Sequence, residues 1–503
     1  MSPRRVVNIW RTVAIAISLA ITTLTIGLVL GLRHYATLPG NEAWHDWFPF
    51  HRRTVLSIPV LLSGTAAVIM IRDRTLMRTS LRYLSLLMLS VSGSVIIAVS
   101  ENFVTLLIGT ELIGITLYSL DMILSRLSAE RRATRRIFWI DSAVSVARIV
   151  SGVVFFVIGG TVSYALIGPR FASLLEGGNP WVKTVVSMAL YCLIISLAWM
   201  AASGPIQRLM RVFMLKSAHL AKECDAVKIP HLLVTNTMAR FAIVVAIIEI
   251  YRRTAGVAAM PSLAWSLGAI GLALMLTASF GLVGSRTAVD TMQKKSAFEV
   301  GTCLLAVTMS VPLLRILGEI NRLENADPWH GMLTDAVIPA TSWMLSTTGL
   351  AMLLVCLAPC ERGCRAKTLY WDSLSGMIRM KPWTRPLLTV SLLLCIGAAF
   401  GLPLSSGFGY RFYYLSTLVE GLVHDIPREH FTMSRWFLFS AFAAMAGPML
   451  LVAIFWMKLF NTMVRKLPLG KVAVRHPSWL YALVAIIFGM LTFAMILHLI
   501  LLF

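Results

Sequence analysis

The sequence predicts an all-helical, polytopic membrane protein with about thirteen transmembrane helices in a single membrane domain, 1–503. Three observations carry this. Hydrophobic residues are 57% of the 503 positions and charged residues 14%, against about 25% charged in soluble domains, and the mean hydropathy is +0.78. Apolar runs long enough to cross hydrocarbon, about 20 residues each, recur along the chain. Finally, basic residues gather in alternate loops. These features exclude a soluble globular protein and a disordered chain.

In order, the predicted spans are 12–32, 54–71, 82–99, 103–124, 137–159, 182–203, 229–250, 262–284, 297–314, 336–358, 386–423, 434–459 and 478–503. The first is read as an uncleaved helix with a basic flank, because it has no small-residue cleavage site. The eleventh contains Gly401-Leu402-Pro403-Leu404-Ser405-Ser406-Gly407. Proline removes a backbone donor and clashes with the preceding turn, so a break is predicted there. A second break is predicted at Gly204-Pro205, before an amphipathic stretch carrying Arg208, Arg211, Lys216, His219 and Lys222. The two breaks occupy corresponding places in two five-helix stretches, 103–250 and 262–459. Paired broken helices point to an internally repeated transport fold. The remainder divides into N-terminal helices, 1–102, and a C-terminal helix, 460–503.

Charge gives the topology. The net charge is +22, and 31 of the 45 basic residues fall in the loops on the N-terminal side, against 11 opposite. The positive-inside rule places the N-terminus on the cytoplasmic or matrix side. The scatter of these charges between apolar runs argues against nucleic acid as a partner. The seven cysteines are mostly within spans and form no disulfide framework. Cys356, Cys360 and Cys364 share helical spacing but lack a clear fourth metal ligand. Nucleotide loops, haem motifs and iron–sulfur cysteine runs are absent from the sequence.

Ionisable residues inside spans are expensive and mark function by default. They are Glu111, Asp141, Arg148, Arg240, Glu249, Glu299, Arg411 and Glu420, with Asp121 near a span end. Glu111 is mid-helix in Leu-Leu-Ile-Gly-Thr-Glu-Leu-Ile-Gly-Ile. It either exchanges a proton or is locked to one arginine. Asp141 and Arg148 share a helix face two turns apart and are assigned to structural ion pairs with other partners. Glu249 and Glu420 lie near span ends and read as interfacial. An alternating row of Glu111, Arg240, Glu299 and Arg411 suits lateral proton movement and a static ion-pair ladder equally.

The run Leu106 to Tyr118 around Glu111, Arg136 25 positions later and Gly160-Thr161-Val162-Ser163-Tyr164-Ala165-Leu166 resemble the antiporter-like membrane subunits of respiratory complex I. Gly204-Pro205, Ala288 to Leu305 and Gly401 to Phe408 with Arg411-Phe412-Tyr413 follow in the family's order, so the resemblance covers about 100–460. The resemblance implies an antiporter-like fold with two inverted five-helix repeats and broken helices near Pro205 and Pro403. It implies a subunit of proton-translocating NADH:ubiquinone oxidoreductase with no redox centre of its own. FMN, iron–sulfur clusters and quinone belong elsewhere in that complex. Implied partners are other membrane-arm subunits and phospholipids including cardiolipin. The implied location is the mitochondrial inner membrane with the N-terminus in the matrix, or a bacterial plasma membrane.

The implied proton-path candidates are Glu111, Arg136, Arg240, Glu299 and Arg411. This chain has Met200, Arg240, Glu299 and Arg411 where the family has Lys, Lys, His and usually Lys. Arginine holds its proton where lysine can release one. A spacer that no longer pumps and a cation/proton antiporter of the Mrp type are the alternatives.

Overall fold

The computed structural model describes residues 50–71, 80–124, 128–164, 180–214, 225–254, 261–317, 337–357 and 446–459, with isolated positions elsewhere such as Trp371. Its helices are α1 (Phe50–Met70), α2 (Ser80–Ala98), α3 (Phe103–Leu124), α4 (Ser128–Gly159), α5 (Pro180–Met214), α6 (Asp225–Leu232), α7 (Ala239–Thr254), α8 (Pro261–Val283), α9 (Ala288–Leu317) and α10 (Val337–Leu357). A π-helical turn, Leu233–Met238, joins α6 to α7, and Ala446–Leu459 forms a shorter apolar helix, α11. Six helices among the described residues are long and apolar enough to cross a membrane. The protein is therefore a polytopic, all-helical membrane protein. The region of Pro403, Arg411 and Glu420 and the span 478–503 lie outside the described residues.

Two differences from the predicted elements have clear causes. First, α5 runs from Pro180 to Met214 without interruption at Gly204-Pro205, where a break is predicted. Proline there deprives only the Ala201 carbonyl of its donor, and the helix continues past that single loss. Second, α9 starts at Ala288, nine residues ahead of the predicted 297. Its first turns carry Asp290, Lys294 and Lys295, which depress hydropathy without opposing helix formation.

The chain divides into two compact units, Met1–Ala221 with Val234–Leu263, and Lys222–Leu233 with Ala264–Phe503. In the first unit, α3 packs between α2 and α4, and α7 contacts α2, α3 and α5. Every residue of α7 from Ala239 to Ile248 is buried, as an all-round apolar helix at the centre of a bundle should be. One end of the α3–α4 hairpin is pinned. Asn102 caps α3 by accepting the Thr105 amide at 2.8 Å, as a side-chain oxygen does for the orphan donors of a first turn. Gly160 ends α4 with φ of 61°, a left-handed conformation glycine adopts without a Cβ penalty. The two ends then pair across: Phe103 donates its amide to Val162 and Tyr164 to Glu101, each at 3.0 Å. Phe103 stacks on Phe155 and meets Tyr164 edge-on.

Close helix crossings rely on glycine, the small residue that lets backbones meet where lipid supplies no hydrophobic drive. In the first unit α2 meets α3 at Gly93 and Gly109: a Cβ on Gly109 would lie 3.2 Å from the Gly93 carbonyl oxygen. In the second unit α8 meets α9 at Gly271 and Gly301, while α6, α9 and α10 pack together. Lys294 Nζ donates to the Gly281 carbonyl at 2.7 Å and to Asp290 Oδ2 at 2.6 Å, tying the end of α8 to the start of α9.

A Cβ on Gly301 would lie 2.5 Å from the Gly271 carbonyl oxygen and 2.9 Å from the Met275 nitrogen, and neither backbone atom can step aside. Gly301→Ala is expected to cost about 1–3 kcal/mol, read as a lower thermal-unfolding midpoint in detergent. Gly114→Ala, whose Cβ would meet nothing within 4 Å, is expected to hold or raise the midpoint. Equal losses at both positions would count against the α8–α9 crossing.

Candidate functional site

Buried charge collects at two centres, one in each unit. In the first, α3 and α4 run antiparallel from the pinned end. Glu111 lies eight residues, about 12 Å, into α3, and Arg148 lies eleven residues, about 17 Å, from the end of α4. The length of the arginine side chain spans the difference. Arg148 Nη2 meets Glu111 Oε1 at 3.0 Å, and Ser145, one turn earlier on α4, donates its hydroxyl to the same oxygen. Arg148 Nη1 points at Met200 Sδ of α5, 3.6 Å away. The Arg148 side chain is 5% exposed and that of Glu111 37%, so the cation is the interior partner and the carboxylate the accessible one. Arg148 Nε is buried without a hydrogen-bond partner among the described residues.

One turn or two from this centre, Asp141 Oδ1 accepts the Trp199 indole N–H at 3.1 Å, joining α4 to α5. Arg240, on α7, is buried and donates to Asn236 Oδ1 at 2.6 Å. Asn236 sits in the π-helical turn, a feature that inserts one extra residue into the helical ladder and recurs at functional sites.

In the second unit, Glu299 and Lys295 face each other along α9, with Lys295 Nζ 3.5 Å from Glu299 Oε1 and both side chains 2% exposed. Lys295 Nζ also donates to Thr347 Oγ1 of α10 at 3.1 Å, and the Thr347 hydroxyl in turn donates to the Trp343 carbonyl at 2.8 Å. No group of three or more potential metal-ligating side chains occurs among the described residues.

Of the sequence-predicted candidates, the structure brings Glu111 to Arg148 and holds Arg240 and Glu299 in helix interiors. Arg136 stands apart: it is exposed, and twelve residues along α4 put it about 18 Å from Arg148. Asp121 and Glu249 are partly exposed. Arg411 and Pro403 lie outside the described residues. Lys295 falls in the loop between the predicted spans 262–284 and 297–314, but the structure places it in α9 among the buried residues. The signal that identifies it is the Lys295–Glu299 spacing of four, which places a cation and an anion on one helix face.

No protein-family model matches the sequence, and no curated protein matches it. Solved structures do. A chain of the Mrp complex from Dietzia sp. aligns with a TM-score of 0.63 and 14% identity, covering 100% of this chain and 96% of that one. A chain of respiratory complex I from Thermus thermophilus with bound aureothin aligns at 0.58 and 15%, covering 96% of each. A chain of the archaeal membrane-bound sulfane sulfur reductase, a respiratory membrane complex, aligns at 0.60 and 13%, covering 88% of this chain; this chain spans only 64% of that one's length. The likeness is one of fold, and it extends over nearly the full length of two of the three.

Arg148→Met leaves Glu111 without its cation. The expected cost is about 1–3 kcal/mol, below the 3–5 of a fully buried pair, because Glu111 retains some exposure. Met200 borders the guanidinium, so adding Met200→Lys to Arg148→Met is expected to restore more than half of the lost thermal midpoint. A double variant no more stable than Arg148→Met would show that α5 cannot supply the cation.

Proposed function

We propose that this chain is an antiporter-like membrane-arm subunit of a proton-translocating NADH:ubiquinone oxidoreductase, relaying protons across the membrane it spans. The observation that carries the reading is the pair of buried charge centres, Glu111–Arg148 and Lys295–Glu299, set within a fold that aligns over 96% of a respiratory complex I chain. Ionisable groups persist inside a membrane chiefly where they serve a substrate or proton path. The reading includes thirteen crossings, two inverted five-helix repeats at 103–250 and 262–459, and a helix break at Pro403.

Within the complex, the run around Glu111 and the Gly160–Leu166 segment favour subunit 2 over subunit 4. The 34 arginines against 11 lysines favour the mitochondrial inner membrane, N-terminus in the matrix, over a bacterial plasma membrane. Its partners are then neighbouring membrane-arm subunits, with cardiolipin at the basic loops. FMN, iron–sulfur clusters and quinone sit in other subunits. Glu111 is the carboxylate that takes up and releases a proton, held by contacts from Ser145 and Arg148.

One observation favours a second reading, a non-pumping spacer. Among the described residues, two of the three buried cations are arginines, Arg148 and Arg240, and a guanidinium holds its proton. A cation/proton antiporter is the third, since the fold aligns with a chain of the Mrp complex at a TM-score of 0.63 against 0.58 for the complex I chain.

The test is to tag the chain in its native host, purify it in mild detergent and assay the product. Copurification of NADH:quinone reductase activity with FMN and iron–sulfur clusters is the expected result. In sealed vesicles Glu111→Gln is expected to lower proton translocation about tenfold, equivalent to ~1.4 kcal/mol of barrier. A chain that purifies without any redox partner and exchanges sodium for protons would replace this reading with the antiporter one. Undiminished translocation by Glu111→Gln would favour the spacer.

A further inference from the structure

We propose that Lys295 is the proton-carrying base of the second unit, shuttling one proton with Glu299. The inference rests on the reading of the chain as a proton-handling subunit and names a residue which that reading leaves unused. Three cations are buried inside helices among the described residues: Arg148, Arg240 and Lys295. Guanidinium stays protonated in proteins, whereas a buried ammonium gains and loses its proton readily. Chemistry therefore selects Lys295.

Geometry supports the selection. The side chains of Lys295 and Glu299 are each 2% exposed, and desolvation disfavours separated charges there. Lys295 Nζ and Glu299 Oε1 are 3.5 Å apart, wider than the roughly 2.7–2.9 Å of a tight charge-assisted bond. Thr347, whose hydroxyl is committed to the Trp343 carbonyl, accepts from Nζ at 3.1 Å and holds the amine beside the carboxylate. The adjacent Lys294 is a contrast. It is 25% exposed and bound to Asp290 at 2.6 Å, to the Gly281 carbonyl and to Ser285, so it works as a tie between helices.

The proton balance closes. Transfer of one proton from Nζ to Oε1 converts the ion pair into neutral amine and neutral carboxylic acid. The acid then gives its proton to water on one side, leaving amine and carboxylate. A proton taken up from the other side by the amine restores the starting pair. The elements packed on α9 bring few competing groups: α8 has no ionisable side chain and α10 only Cys356, while α6 carries Asp225, Lys228 and the buried His231. On α9 itself, Asp290 is engaged by Lys294, and Cys303 and Arg315 lie further along.

The test uses the complete complex in sealed vesicles, with proton translocation normalised to assembled complex. Lys295→Arg retains the cation and withholds the exchangeable proton. Translocation is expected to fall at least about a hundredfold, the low end of what a positioned proton-transfer group contributes. Lys295→His, which retains an exchangeable proton, is expected to recover part of it. Full translocation by Lys295→Arg overturns the proposal, because a static cation would then suffice. If Lys295→Arg fails to assemble, Lys295→His is compared with Lys295→Gln, and equal translocation by the two overturns it. A wild-type complex that oxidises NADH and moves no protons removes the functional reading itself, and this inference with it.

Discussion

The constraint on which the structure turns is that charge placed inside a membrane domain needs a partner within hydrogen-bond reach. An ion stripped of water costs several kcal/mol even after relaxation, and a helix interior has no bulk solvent to relieve it. Arg148 and Glu111 meet at 3.0 Å, Lys295 and Glu299 at 3.5 Å, and Arg240 reaches Asn236 at 2.6 Å. The first pair ties α3 to α4, and the Lys295 hydrogen bond to Thr347 ties α9 to α10.

Precise placement requires pinned helices. The Asn102 cap, the left-handed Gly160 and the two backbone hydrogen bonds between 101–103 and 162–164 set the α3–α4 register. Glycine does the corresponding work at the crossings. In each unit the carboxylate stands two residues from a glycine at which two helices touch: Gly109 before Glu111, and Gly301 after Glu299. A crossing without side chains fixes the backbone tightly, and a rigid backbone holds the neighbouring charge in place. The two centres differ in cation. Arg148 in the first unit carries a guanidinium, and Lys295 in the second a primary amine.

Glu111, Arg240 and Glu299 were legible in the sequence because each is an isolated charge within an apolar run. The partner of Glu111 was not. Arg148 is 37 positions away, and only the antiparallel return of α4 brings it close, so the sequence leaves the arginine beside Glu111 open. Lys295 was hidden for the opposite reason. It adjoins Lys294 beside a loop, and a hydropathy window assigns both to the same aqueous edge. The structure separates them because adjacent helical residues point about 100° apart: Lys294 turns to Asp290 and the end of α8, and Lys295 turns inward to Thr347. Pro205 shows the limit of a local rule, since loss of one donor does not end a helix as long as α5.

By itself the sequence determined that this is a multi-pass helical membrane protein and which apolar runs carry charge. Those properties are sums over local composition, and hydrocarbon enforces them because every backbone polar group must bond within its own helix. Tertiary structure alone decided which charges meet. That depends on antiparallel register, on glycine crossings and on the direction of each side chain around its helix. Depth along the helix axis and angle around it, set by how helices pack rather than by any one segment, place Arg148 rather than Arg136 at Glu111 and set Lys295 against Thr347 of α10.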